Sequence, residues 1–319
     1  MEFDSQKLWI FIVAAFVVSG CNNGFIGGGS SNSSTGARTP KAGPHSACYT
    51  DRCLQTMPFN EINTPVHYRY QNPNSFPDPA LRSQYIIPSR MIDLLHVGGS
   101  WPISSNFAVA DFMVYSHDRY AIFSPEVANI FQHIRNDLGG PLWVTSGYRS
   151  PTHNAQVGGV PWSRHMYGDA VDFTTPAPNY PLLQRLCLKY DASFTLIYTN
   201  HIHCDWRKHP LNPAFYNNVP APPAPTMQTL GLKRYGTISP AAHIIGTPVA
   251  QNVRLSVVIP NEEIEGTPIY DWQITTAQGV TAHYSTPTVT LPTSDAPFKI
   301  DTIVGGSIHI EKTWPSAVN

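Results

Sequence analysis

Residues 163–173 read SRHMYGDAVDF, and residues 201–206 read HIHCDW. Charged residues make up only 13% of the 319 in this chain, yet these two runs concentrate His165, Asp172, His201, His203 and Asp205. Val171 and Phe173 are apolar neighbours that hold Asp172 on a strand. Alternation in HIHCD puts His201, His203 and Asp205 on one strand face, with Ile202 and Cys204 on the other. Gly168 and Ala170 are small enough to let the backbone pass close to a metal or substrate. Two imidazoles and a carboxylate, from His165, Asp172 and His203, make a zinc ligand set that leaves a fourth position open. A lone His is more often a satisfied core or surface residue, and His96, His153 and His243 read that way. Two clusters together favour a site. Met166 and Tyr167 read as packing or pocket-wall residues.

Outward from these runs the chain alternates helix and strand signals. SPEVANIFQHIRNDLG predicts a helix: Ser124 caps it, Pro125 suits the first turn, and Glu126 favours the positive end. Val127, Ile130, Phe131 and Ile134 line one face, and Gly139 and Gly140 stop it. LWVTSGY reads as a short strand entering a turn, YPLLQRLCLKYDA as a second helix, and FTLIYTNHIHCDW as one strand whose end carries the His pair. The aromatic, irregular stretch from Cys48 to Pro88 is expected to wrap this domain.

After the proline-rich NNVPAPPAPTMQ, a stiff spacer, come NVRLSVVIP, PIYDWQITT, VTAHYS and TVTLP. These are short alternating strands with no obvious helix, and they predict a small β-sandwich. A β-sandwich module therefore follows the site-bearing domain. The expected layout is a core at 85–210 within a domain at 47–212, a linker at 213–232 and a β domain at 233–319. A chain ending near Asn218 is expected to fold and act by itself.

The N-terminal end reads as a targeting segment. Leu8–Val18 is an apolar run of secretion-signal length, shorter than a bilayer span, and residues 22–46 are a Gly/Ser-rich tether. VVSGC resembles the lipobox of bacterial lipoproteins, which implies lipidation at Cys21 after removal of the leader within residues 1–21. The other four cysteines, Cys48, Cys53, Cys187 and Cys204, are an even number and fit an oxidising compartment. Three connectivities are open; the choice taken here pairs Cys48 with Cys53 and Cys187 with Cys204. A net charge of −1 without a basic stripe points away from nucleic acid.

SGYRSPTHNAQVGGVPWSRHMYGDAVDF followed by HIHCDW, with NFAVADF upstream, resembles the zinc D-Ala-D-Ala carboxypeptidase and murein endopeptidase family over residues 107–206. The resemblance implies the α+β fold class, a small antiparallel-sheet domain of the hedgehog/D-Ala-D-Ala carboxypeptidase-like kind. It implies one zinc ion on His165, Asp172 and His203, and hydrolysis of amide bonds in peptidoglycan stem peptides. It also implies His201 as general base, with Asp205 as the alternative or a supporting group. The resemblance implies that Arg149 faces the substrate carbonyl or carboxylate, with Ser163 and Tyr148 as further substrate-binding residues. Arg164 influences carboxylate recognition or faces water. YDWQITTAQGV loosely resembles the central strands of immunoglobulin-like modules, packed around Trp272, and leaves an envelope protein or a glycan as that module's partner class. The corresponding location is the cell envelope, with the lipid on a periplasm-facing leaflet of the outer membrane. The competing reading is a catalytically inactive peptidoglycan-binding or structural envelope lipoprotein that kept the fold.

Overall fold

The computed structural model describes residues 45–59, 67–114, 118–207, 211–216, 242–259, 264, 266–293 and 297–314. Cys21, the leader, residues 22–44 of the tether and the proline-rich stretch at 217–228 lie outside the described residues; the tether's last residue, Ser46, instead begins the first strand. Among the described residues no helix is long and apolar enough to cross a membrane.

Helices and several small antiparallel sheets make an α+β chain. A hairpin of β1 (Ser46–Tyr49) and β2 (Arg52–Gln55) opens it, with Cys48 directly opposite Cys53 and bonded to it. Strands β3 (Met57–Pro58), β4 (Arg90–Asp93) and β5 (Tyr120–Ala121) form a second small sheet, and a short helix α1 (Val109–Phe112) lies between β4 and β5 in sequence. The aromatic stretch does wrap: Tyr68, Tyr70, Phe76 and Tyr85 are buried. Phe76 stacks on Tyr85 at 4.3 Å between ring centroids, and both pack edge-on to Trp162.

Helix α2 (Pro125–Leu138) has the expected cap, since the Ser124 hydroxyl accepts from the Val127 amide, and Gly139 ends it at φ 69°. Its buried face, including Val127, Phe131 and Ile134, meets the central sheet where Phe131 packs edge-on against Phe173 at 4.9 Å. That sheet contains β6 (Trp143–Ser146), β7 (Ala170–Thr174), β8 (Phe194–Ile197) and β9 (Ile202–Asp205) in the order β6-β7-β9-β8. Helix α3 (Pro151–Gln156) follows β6, and α4 (Tyr180–Lys189) crosses behind the sheet, tied to β9 by the Cys187–Cys204 disulfide.

Two details depart from the sequence reading. FTLIYTNHIHCDW is a hairpin, not one strand: Phe194 pairs with Asp205 and Ile197 with Ile202, and Tyr198 N–H donates to the His201 carbonyl across the turn. The polar Thr-Asn step at 199–200 sits at that reversal, where a turn suits such residues. The second departure is α5 (Pro213–Tyr216), placed in the linker by composition. Its Phe215 and Tyr216 are buried, and Phe215 and Ala214 offer carbonyls to Ser89 N–H and the Thr56 hydroxyl.

The C-terminal residues form two further antiparallel sheets. One joins β10 (His243–Val249), β11 (Asn252–Val258) and β14 (Thr288–Pro292). The other runs β13-β12-β15-β16, from β12 (Tyr270–Thr275), β13 (Thr281–Tyr284), β15 (Phe298–Val304) and β16 (Ile308–Trp314). Trp272 is fully buried between them, its indole N–H on the Thr286 carbonyl at 2.9 Å. Their shared apolar cluster also takes in Phe194, Leu196 and Tyr198 from the β8 hairpin. The central sheet thus has α2 and α4 on one face and, at β8, the C-terminal strands on the other.

Candidate metal centre

Strand register brings the centre together. Asp172 is directly opposite Ser146 on β6 and His203 on β9, and directly opposed residues on antiparallel strands share a face. His165 arrives from a 3-10 turn at Arg164–Tyr167, just before β7. Gly168 ends that turn at φ 69°, and a Cβ there would lie 2.3 Å from the Ile122 carbonyl oxygen. Only glycine meets both demands. The chain doubles back there and sets His165 beside Asp172.

His165 Nδ1 is 2.7 Å from the Gly147 carbonyl, so Nδ1 carries the proton and donates it. Its Nε2 is buried without a hydrogen bond, 3.1 Å from Asp172 Oδ1. His203 Nδ1 lies 2.8 Å from the same Oδ1, and its Nε2 lies 3.3 Å from Asp205 Oδ2. One donor atom from each of His165, Asp172 and His203 falls within 4.8 Å of the others, and all three residues are buried. An orphaned imidazole nitrogen aimed at a shared carboxylate fits a metal ligand set, since a buried polar atom otherwise finds a hydrogen-bond partner. His165, Asp172 and His203 can hold a metal ion.

The charges around this cluster are strongly coupled. Burial would raise the Asp172 pKa, but the charge and contact of His165, then those of His203, hold it well below the usual carboxylate range. Burial would lower His203, yet its hydrogen bonds to Asp172 and Asp205 lift it to about 9. A metal held by His203 would therefore have to displace a proton. Asp205 is fully buried, and despite burial its carboxyl is held far below its ordinary value by Arg207, whose Nε donates to Oδ1 at 2.8 Å. It stands behind His203 and does not line the cleft.

The cleft in front has a volume of about 340 Å³ and is lined in part by Arg149, Ser163, Asp172, His201 and His203. Arg149 is buried, with Nε on the Ser146 hydroxyl at 2.7 Å and a terminal nitrogen on Asp172 Oδ2 at 3.0 Å. His201 lies outside the three-donor cluster: its Nε2 is 4.0 Å from Asp172 Oδ2 and its side chain is 23% exposed. Its ring stacks on Tyr198 at 4.5 Å, and its Nδ1 is 2.8 Å from Asn200 Oδ1. Burial, opposed by the Asp172 charge, shifts its pKa below the ordinary imidazole value. Tyr148 does not reach the cleft. Its ring is buried and its hydroxyl lies 3.3 Å from that of Tyr70.

Arg164 does not face bulk water, although it is part of the cleft lining. It is buried against Asp169, donates to the Gln84 carbonyl at 2.7 Å, and lies over the Tyr85 and Tyr167 rings. Sequence reasoning missed Asp169 as the partner of Arg164 and Arg207 as the partner of Asp205. The signal was local, since each buried Arg–Asp pair spans at most five residues, but it is visible only once both partners are known to be buried.

Residues 105–205 match the sequence model of the Peptidase M15 family. No curated protein matches the chain. The matched segment contains all three potential ligands, Arg149 and His201, and it supports a peptidase. Zinc dependence is that family's general character, and the buried His/Asp/His group agrees with it.

Proposed function

We propose that this chain is a zinc-dependent peptidase that hydrolyses amide bonds in peptidoglycan stem peptides, as a D,D-carboxypeptidase or endopeptidase. The observation that carries the reading is the convergence of His165 Nε2, Asp172 and His203 on one buried point at the base of a 340 Å³ cleft, within the segment matching Peptidase M15. Support for the substrate class is the resemblance of SRHMYGDAVDF and HIHCDW to the murein peptidases. By the same resemblance the domain takes the D-Ala-D-Ala carboxypeptidase-like fold; the alternating C-terminal strands, in two antiparallel sheets about one apolar cluster, support a β-sandwich after it.

His165, Asp172 and His203 would hold the zinc, which supplies Lewis-acid polarisation of a carbonyl and a water nucleophile at neutral pH. The remaining work belongs to the chain. His201, with Nδ1 donating to Asn200, has Nε2 as its basic nitrogen; it takes a proton from the attacking water and returns it to the leaving amine. A lowered pKa keeps that nitrogen unprotonated near neutrality. Arg149 donates to Asp172 Oδ2 at 3.0 Å and presents positive charge to the carbonyl or carboxylate of the bound peptide. Asp205, locked by Arg207, orients His203 through Nε2.

The test is mass spectrometry of purified peptidoglycan incubated with the chain lacking residues 1–21. New muropeptides are expected with zinc and none after chelation; turnover by metal-free protein would remove the mechanism. We further propose lipid attachment at Cys21 and an outer-membrane location facing the periplasm. Cys21→Ser should move the protein out of the membrane fraction, and undiminished retention of an exported variant would contradict the anchor.

A further inference from the structure

The cleft is not built from the family-matched segment alone. Gly266 and Thr267 also line it, although the match ends at Asp205. Both come from the turn that leads into β12, and Thr267 is exposed.

Their position is fixed through β8. Pro268 bridges to Tyr198, and Ile269 N–H donates to the Ile197 carbonyl at 3.1 Å. Ile197 N–H donates to the Gly305 carbonyl at 3.0 Å, and Gly305 N–H to the Ile269 carbonyl at 2.8 Å. The free edge of the central sheet is thereby paired, which removes an exposed edge. The approach is close: Gly305 has φ 57°, and a Cβ there would lie 2.1 Å from Leu196 Cδ1. From the α4 side, Gln184 donates to the Gly305 carbonyl at 3.2 Å and the Ser307 hydroxyl at 2.9 Å. Tyr198 carries the His201 ring stacked on its own, and a Cβ on Gly266 would sit 4.0 Å from Tyr198 Cε1. Backbone pairing therefore links Thr267 through Pro268 and Tyr198 to the imidazole at the mouth of the metal cluster.

We propose that Gly266 and Thr267 form a specificity wall of the cleft, so that the C-terminal strands determine the width of peptide admitted beside His201. The inference rests on the peptidase reading of this cleft. A wall of small residues leaves room for a branched, cross-linked stem peptide as well as a linear one. Narrowing it discriminates against the wider substrate.

Thr267→Trp adds a large ring at an exposed residue of the cleft lining that is not one of the three potential ligands. Hydrolysis of a linear monomeric muropeptide and of a cross-linked dimer would be compared for wild type, Thr267→Ala and Thr267→Trp. The Trp variant should lose about 10-fold or more additional kcat/KM on the dimer relative to the monomer. Melting temperature and zinc content should match wild type. Equal losses on both substrates, or no loss, overturn the wall. If zinc-loaded wild type cleaves neither substrate, the peptidase reading fails on its own. Calorimetric binding of the same two muropeptides then decides the wall: a selective loss of dimer affinity in Thr267→Trp supports it, and equal affinities or no binding overturn it.

Discussion

His203 has a carboxylate at each ring nitrogen, Asp172 at Nδ1 and Asp205 at Nε2, and the two contacts serve different ends. The first lies inside the His165–Asp172–His203 cluster; the second holds the ring from behind. His203→Ala should lose both zinc and activity. His201→Ala should keep near-stoichiometric zinc while losing on the order of 10²-fold or more in rate. Asp205→Asn should weaken zinc about 10–100-fold, as loss of a group orienting a ligand does. Elemental analysis beside muropeptide hydrolysis separates the three. If Asp205→Asn abolishes turnover with zinc intact while His201→Ala is nearly normal, the proton carrier is Asp205. Protonation adds a second expectation. His203 in the metal-free chain sits at about 9, above the ordinary 6.5. Its stabilising contribution is full below about 6.5 and is lost as pH rises through 9. Urea unfolding of the metal-free chain should weaken over that interval more than unfolding of the zinc-loaded chain. A metal-free stability that rises across it would contradict the assignment.

At the scale of elements, the end of β6 does the positioning. Gly147 presents its carbonyl to His165 Nδ1, and a Cβ there would lie 2.3 Å from the Phe112 carbonyl oxygen at the end of α1. Tyr148 N–H also donates to that oxygen at 2.9 Å, so α1 and the strand end are locked together. Gly147→Ala must push them apart. It should cost about 1–3 kcal/mol by overpacking and weaken zinc binding through His165, although residue 147 is no ligand. Thermal unfolding and zinc titration check this; a variant with native stability and affinity would show that α1 yields freely.

At the scale of the molecule, the packing across β8 reverses what truncation is expected to do. Phe194, Leu196 and Tyr198 are buried in the same cluster as Trp272, Val304 and Ile308. A large apolar side chain contributes about 1.5–3 kcal/mol when fully buried, so uncovering this face costs several such amounts in part or whole. A chain ending at Asn218 also leaves the β8 edge open to pairing with other molecules. It should unfold at a clearly lower temperature than the full chain, or aggregate. An unchanged melting temperature with full activity would restore the view of two separable parts.

What was legible in the sequence was whatever depends on neighbours in the chain. Helix α2 was readable because Ser124, Pro125 and Gly139 act within a turn of their own position, and its apolar face repeats with the helical period. Alternation along β7 and β9 placed Asp172 and His203 on strand faces, and their clustering with His165 follows the motif. Only tertiary structure decided the rest. The β8–β9 hairpin could be mistaken for one strand because Phe194–Asp205 is apolar on both sides of a short polar turn. Asp205 and His201 share an alternating pattern, yet one is buried behind His203 against Arg207 and the other opens to the cleft. Thr267 has no motif at all. Its place beside the site comes from backbone pairing between segments some seventy residues apart in sequence, Tyr198 with Pro268, and such pairing leaves little trace in side-chain identity.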